Sequence, residues 1–183
     1  MTNYKIPQKD TWIQTYTGKA FDFINPIKEA VDIQDIAMGL NNIKRFTGQT
    51  NHNYTVAIHS IIVSILVPEE FAIYGLLHDA TEAYIGDINS PLKKCLPEYR
   101  KIEKNLHKVI MDSFNLKPEI PKVVKNVDLK LLYTEKRDLF KDILDWGNEI
   151  EPYEFNIWHM IEEIKDLNFL DRFNSILPRS SLL

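Results

Sequence analysis

Residues 54–84 read YTVAIHSIIVSILVPEEFAIYGLLHDATEAY, and the fold turns on how this stretch divides. Val56, Ile58, Ile61, Ile62 and Ile65 recur at helical intervals, which predicts a helix over about 54–66. Val67-Pro68 interrupts it, and Pro68 suits the first turn of a following helix, where a missing N–H is no loss. Glu69 and Glu70 would then lie beside the positive end of that helix dipole. The second helix is expected to run on through Phe71 and Leu77 to about Tyr84. Both apolar segments carry groups that a buried face does not tolerate unsatisfied: His59 in the first, His78 and Asp79 in the second.

Working toward the N-terminus, Ile33, Ile36, Ala37, Leu40 and Ile43 mark another amphipathic helix, with Asp32 as its N-cap. Before it, residues 11–23, TWIQTYTGKAFDF, place aromatic and β-branched residues on either side of Thr17-Gly18, the pattern of a short β-hairpin. Toward the C-terminus, residues 86–97, GDINSPLKKCLP, read as a loop because they hold a glycine and two prolines. Further helices are predicted over about 98–114 and 122–140, separated by a loop at 115–121. After a polar connection at 146–152, a last helix starts near residue 154 and extends to 167 or as far as 177, packing on a core spanning about 30–140. The tail at 178–183, PRSSLL, is expected to fray. The expected architecture is all-α, a single helical-bundle domain over 1–183 with a small N-terminal β-hairpin.

Bulk properties limit the function classes. At 183 residues the chain suits one domain with a real core. A hydrophobic content of 44% against 26% charged residues is that of a globular protein, not a disordered one. The net charge of −4 argues against coating a nucleic-acid polymer. With one cysteine, Cys95, no intramolecular disulfide can form, which favours a reducing compartment. No apolar run approaches the length of a membrane span, and the first residues lack the apolar core of a signal peptide. A cytoplasmic protein is expected.

A third apolar stretch, VVKNVDLKLL at 123–132, carries Asp128. Singly, each polar residue has a structural explanation: His59 as a satisfied core histidine, Asp128 as a partner of Lys130. Their conjunction is more specific. Two imidazoles and two carboxylates on three helices make one mixed nitrogen–oxygen site for a divalent cation, of a kind that suits Mn²⁺, Co²⁺, Fe²⁺ or Zn²⁺ better than Mg²⁺. Glu82, three residues after Asp79 and four after His78, shares their face and is placed for general acid–base work.

The succession His59, His78-Asp79, Asp128 resembles the HD phosphohydrolase superfamily. RFTGQ at 45–49, YTVAIHS at 54–60 and LLHDATEAYIGDINSPLKK at 76–94 resemble bacterial HD-type 5′-deoxynucleotidases. The opening WIQTYTGKAF at 12–21 is similar to that of phage- and prophage-encoded HD hydrolases. The resemblance covers about residues 11–140. It implies that His59, His78, Asp79 and Asp128 ligate one divalent ion, that Glu82 takes part in catalysis with substrate or water contacts from Asp87, and that Arg45 meets the substrate phosphate. The group usually carries Arg-Trp where this chain has Arg45-Phe46, so base and sugar selectivity do not transfer.

Lys93 is a second phosphate candidate, and Phe46 and His52 are further substrate-side candidates. Arg and Lys fit the roughly two negative charges of a phosphomonoester. The basic run Lys94, Arg100, Lys101, Lys104 and Lys108, interrupted by Glu98 and Glu103, reads as a solvated helix face, and His107 and His159 as structural. The expected activity is release of phosphate from (deoxy)nucleoside 5′-monophosphates. Alternatives are a dNTP (tri)phosphohydrolase, and a catalytically inactive nucleotide-binding regulator. The expected partner is a small nucleotide, not a nucleic-acid polymer or a membrane, and the resemblance hints at a homodimer or higher homo-oligomer.

Overall fold

Phe21 and Tyr84 lie face to face, their ring centroids 3.8 Å apart, and this contact fastens the N-terminal hairpin to the helices. The computed structural model describes residues 10–147 and 150–176. Strands β1 (Trp12–Gln14) and β2 (Ala20–Asp22) pair antiparallel with Ile13 opposite Phe21. The connecting turn has Gly18 at φ 85°, a left-handed conformation that glycine adopts without steric cost. Asp35 accepts hydrogen bonds from the Thr17 N–H (2.7 Å) and hydroxyl (2.9 Å), so the turn is tied to the first helix.

The rest is mostly helical, as the periodicity predicts. The helices are α1 (Ile33–Asn42), α2 (Val56–Leu66), α3 (Ala72–Leu77), α4 (Glu82–Ile85), α5 (Ser90–Lys94), α6 (Pro97–Ser113), α7 (Lys122–Leu139), α8 (Ile157–Glu163) and α9 (Phe169–Ile176). Asp32 caps α1 through a bond from the Gln34 N–H, and Thr55 caps α2 through one from Ile58. The core runs continuously from Phe21 through Ile36, Leu40, Ile62, Leu76 and Leu131 to Phe169. Helices α2 and α3 lie against each other so closely that a Cβ on Gly75 would come within 2.9 Å of the Ser64 Cα.

Three expectations are corrected. The helix expected over 68–84 is a 3-10 turn (Glu69–Phe71), then α3, then a tightened passage through His78–Thr81 into α4. There Ala80 and Glu82 bond the carbonyls of Leu77 and Asp79, three residues back. The loop expected at 86–97 contains α5, and α6 begins at Pro97. Pro91 and Pro97 occupy first-turn positions, where proline starts a helix instead of breaking one. The single C-terminal helix is two, α8 and α9, because Asn156 and Asn168 each offer a side-chain oxygen to a first-turn N–H. Residues 178–183 lie outside the described residues. No described helix is long and apolar enough to cross a membrane.

Candidate metal centre

Two helices and the passage between two others deliver the four predicted ligands. His59 projects from α2, Asp128 from α7, and His78 and Asp79 from the tightened passage after α3. The two Nε2 atoms of His59 and His78 face each other at 3.3 Å. Asp128 Oδ1 is 3.1 Å from the first and 3.8 Å from the second; Asp79 Oδ2 is 3.8 Å and 3.2 Å from them. Ligands about 2.1 Å from a central ion, arranged tetrahedrally, stand about 3.4 Å from one another. The separations between the imidazoles and from each imidazole to each carboxylate scatter around that value, and the ligand atoms of His59, His78 and Asp128 all lie within 4.8 Å of one another.

The far side of each ring fixes its tautomer. His78 Nδ1 donates to the Gly75 carbonyl at 2.8 Å, an oxygen that can only accept. His59 Nδ1 lies 2.5 Å from Glu135 Oε1. Burial pushes the Glu135 carboxyl upward, but Arg45, His59 and Tyr54 together bring it below its ordinary value, so it is ionised and His59 donates. Both Nε2 atoms of the neutral rings therefore carry lone pairs, pointed at each other and at two carboxylates. Such a cluster requires a cation. Protons can serve: although burial opposes charging, Glu135 and Asp128 raise His59, and Asp79 and Asp128 raise His78 well above the usual histidine value. A divalent ion meets the same need with four donors, so the residues present fit one.

Glu135 was not singled out by sequence. It is fully buried and accepts from Arg45 Nε and Nη2 (both 3.2 Å), from the Tyr54 hydroxyl (2.8 Å) and from His59. Its signal was its place seven residues after Asp128, the same helical face, but it is embedded in the charged run TEKRD. A carboxylate behind a ligating histidine orients the ring and raises its basicity.

Arg45 also approaches Asp79 Oδ2 through Nη1 at 3.4 Å. It opens a tight turn, Arg45–Gly48, in which Phe46 (φ 55°) and Thr47 (φ 52°) are both left-handed, a strained arrangement for side-chain-bearing residues. The Arg45 N–H donates to the Tyr54 carbonyl and the Val56 N–H to the Ile43 carbonyl (both 3.0 Å), which clips this turn to the start of α2. The arginine is thus fixed relative to the helix that bears His59.

A cavity of about 170 Å³ is lined by Arg45, Phe46, Asp79, Glu82, Asp87, Lys93 and Asp128, among others. Glu82 Oε2 is buried there without a hydrogen-bond partner. Burial, reinforced by Asp79 and Asp87, raises the Glu82 carboxyl well above the ordinary carboxylate range, and burial also raises Asp87. Lys93 reaches the cavity but is bonded to Glu103 (2.6 Å) and more weakly to Glu82 (3.4 Å). His52 is not brought to the centre: it packs on Trp158, centroids 4.0 Å apart, and lines neither this cavity nor its neighbour. The neighbour, about 720 Å³, shares Phe46, Asn89, Ser90 and Leu132 with the first and adds Tyr133, Phe140 and Trp146.

Over 170 residues the chain is 46% identical to the uncharacterized protein YfdR of Escherichia coli (strain K12), a match spanning 91% of this chain and 96% of that protein. The chain belongs to the YfdR family. A more distant relative of this YfdR-family chain is the uncharacterized protein RCAP_rcc00048 of Rhodobacter capsulatus, 31% identical over 127 residues, or 64% of this chain and 65% of that one. No family model matches.

Proposed function

We propose that this YfdR-family protein is a metal-dependent phosphohydrolase of the HD type that releases phosphate from nucleoside 5′-monophosphates. The observation that carries the reading is that Asp79 and Asp128, each within 3.8 Å of both imidazole Nε2 atoms, line one cavity together with the buried Arg45 and with Glu82, one of whose oxygens is buried without a partner. The apolar groove alongside supports a substrate that is anionic at one end and flat and apolar at the other. Phe46 borders both spaces, and Phe140 and Trp146 pack around it with centroids 5.1 and 6.4 Å away. A nucleotide has that shape and polarity.

A bound divalent ion supplies a Lewis acid and lowers the pKa of an attacking water. The chain's own residues supply the rest. Guanidinium carries five N–H groups. Glu135 engages two of those on Arg45 and Asp79 a third, which leaves two for phosphoryl oxygens. Held on three sides, Arg45 binds the phosphate with little loss of side-chain freedom. Glu82, whose carboxyl is raised well above the ordinary carboxylate range by burial and by Asp79 and Asp87, is placed to pass a proton to the departing alkoxide oxygen. Asp87, half-buried in the cavity wall, raises the Glu82 carboxyl further through like-charge repulsion. Lys93 holds Glu82 and Glu103 in position and has one further N–H for the substrate.

The test is a phosphate-release screen of nucleoside monophosphates with Mn²⁺, Co²⁺ and Mg²⁺, with Asp79→Ala as control. Release by the wild type and none by Asp79→Ala is expected. Tight nucleotide binding with no release in any metal would instead indicate a regulator.

A further inference from the structure

Lys93 stands between two carboxylates from different helices. Its Nζ lies 2.6 Å from Oε1 of Glu103 on α6 and 3.4 Å from Oε1 of Glu82 on α4. The first is a short charge-assisted hydrogen bond and the second is longer than such bonds run, so Glu103 holds the ammonium and Glu82 only faces it. Lys93 lines the first cavity and Glu103 does not. The carboxylate that fixes the cation therefore comes from outside the cavity that the cation lines.

Pairing along the helix surface does not explain this bond. Arg100 and His107, three residues before Glu103 and four after it, are its ordinary neighbours on α6. Among the described residues, however, the ion pair of Glu103 is with Lys93, on α5. Glu103 and Lys93 are both half-buried, whereas Glu98, Arg100, Lys101 and Lys104 are exposed. One turn earlier on the same face, the Tyr99 hydroxyl donates to the Gly86 carbonyl at 3.0 Å, and the centre of its ring lies 5.9 Å from the Lys93 ammonium. Tyr99 and Glu103 thus grip the segment from α4 to α5 at two points, beside Asp87 and at Lys93. Burial alone would lower the pKa of the Lys93 amine, but the bond to Glu103 and the charges of Glu82 and Glu103 raise it above the ordinary lysine value, so the group is an ammonium.

We propose that Glu103 is a positioning residue: from α6 it holds the Lys93 ammonium at the cavity wall and away from Glu82, which keeps both groups open to the substrate. Once the charge of Glu103 is removed, Glu82 is the one carboxylate left within ion-pair distance of Lys93 among the described residues, and the ammonium closes on it. A short ion pair there occupies Glu82 Oε1 and neutralises Lys93 with a protein carboxylate in place of a substrate anion. The kinetic consequence rests on the phosphohydrolase reading; the movement of Lys93 does not.

The test uses the full chain, by crystallography and by kinetics. In a metal-free crystal of Glu103→Gln, which keeps the size and removes the charge, Lys93 Nζ is expected within about 2.9 Å of Glu82 Oε1, against 3.4 Å in wild type. On the Mn²⁺-loaded protein, Glu103→Gln should lower kcat/KM for phosphate release about tenfold, the common weight of a hydrogen bond to a charged group. In a Lys93→Met background the same substitution should change kcat/KM by less than about twofold, because a positioning residue acts only through the group it positions. Glu103→Asp keeps the charge and should recover most of the lost rate. Glu98→Gln, which alters an exposed carboxylate of α6 paired with Lys101, should leave the rate unchanged. A Lys93 ammonium that stays in place in the Glu103→Gln crystal, or an equal fall in kcat/KM with and without Lys93, overturns the proposal. No phosphate release by wild type in any divalent metal removes the phosphohydrolase reading instead, and the crystal comparison then decides the role of Glu103 by itself.

Discussion

Glu135 takes four hydrogen bonds from three different side chains, and two of those side chains, Arg45 and His59, belong to the candidate site. It ties the arginine proposed to bind phosphate and an imidazole of the candidate metal centre to one helix. Glu135→Gln keeps the size but removes the charge that Arg45 needs. Breaking a buried pair in this way costs about 3 kcal/mol, to be read by urea denaturation of the metal-free protein. Mn²⁺ affinity should fall about 10- to 100-fold, the usual effect of losing a carboxylate behind a ligating histidine. A variant unchanged in both respects would deny Glu135 its positioning role. Glu82 differs, because it lines the cavity without ligating, and its buried Oε2 has no hydrogen-bond partner. Glu82→Gln should bind Mn²⁺ at unaltered stoichiometry while phosphate release slows by about 10²- to 10⁴-fold. A rate near that of wild type would remove Glu82 from proton transfer.

At the scale of elements, the distance between α2 and α3 sets the distance between the two imidazoles, and Gly75 sets the first. An added Cβ would meet the Ser64 Cα at 2.9 Å, its N at 3.1 Å and the Val63 carbonyl carbon at 3.2 Å, all backbone atoms that cannot rotate away. Gly75→Ala should therefore cost about 1–3 kcal/mol and weaken Mn²⁺ binding as well. Tight Mn²⁺ binding by a destabilised variant would show that the ligands adjust independently of the helix spacing. A second joint lies between α7 and α8. Burial pushes the Asp138 carboxyl upward, but bonds from Arg137 (2.7 and 2.8 Å) and from the Ile157 N–H (2.8 Å) outweigh it and hold the group below its ordinary value. A carboxyl depressed by folding contributes stability above its unfolded pKa and loses that contribution as the pH falls through its folded pKa. The stability gap between wild type and Asp138→Asn should thus be full near pH 6 and shrink toward about pH 3. A gap independent of pH would mean that the charge of Asp138 contributes nothing.

These elements also show what a sequence discloses. Helices α1, α2, α6 and α7 announce themselves by apolar spacing, and the hairpin by Thr17-Gly18 between aromatic flanks. Proline was read as a helix starter at residue 68, where it precedes a 3-10 turn and not the first turn of α3, and as a loop marker at 91 and 97, where it does sit in a first turn. The 3-10 tightening at His78–Thr81 has no glycine or proline to announce it. It is a tertiary effect: the passage turns its ligands toward partners on α2 and α7. Among site residues, those carrying a polar group in an apolar run were legible, as His59, His78, Asp79 and Asp128 were. Glu135 was hidden among charged neighbours.

For the whole molecule, the centre joins α2, α7 and the passage between α3 and α4, so filling it should stabilise the fold and not one helix alone. An ion that binds the native state at about 100 times its Kd adds about 2.7 kcal/mol. Mn²⁺ should raise the melting temperature of the wild type, EDTA should restore the metal-free value, and Asp128→Ala should abolish the response. The four side chains gathered around one divalent ion are the claim on which the proposed chemistry depends. Anomalous diffraction from a crystal of the Mn²⁺-loaded protein tests it most directly. The expected result is a single manganese peak, about 2.0–2.3 Å from His59 Nε2, His78 Nε2 and carboxylate oxygens of Asp79 and Asp128. A peak elsewhere on the protein, or none between the two imidazoles at saturating Mn²⁺, would contradict it.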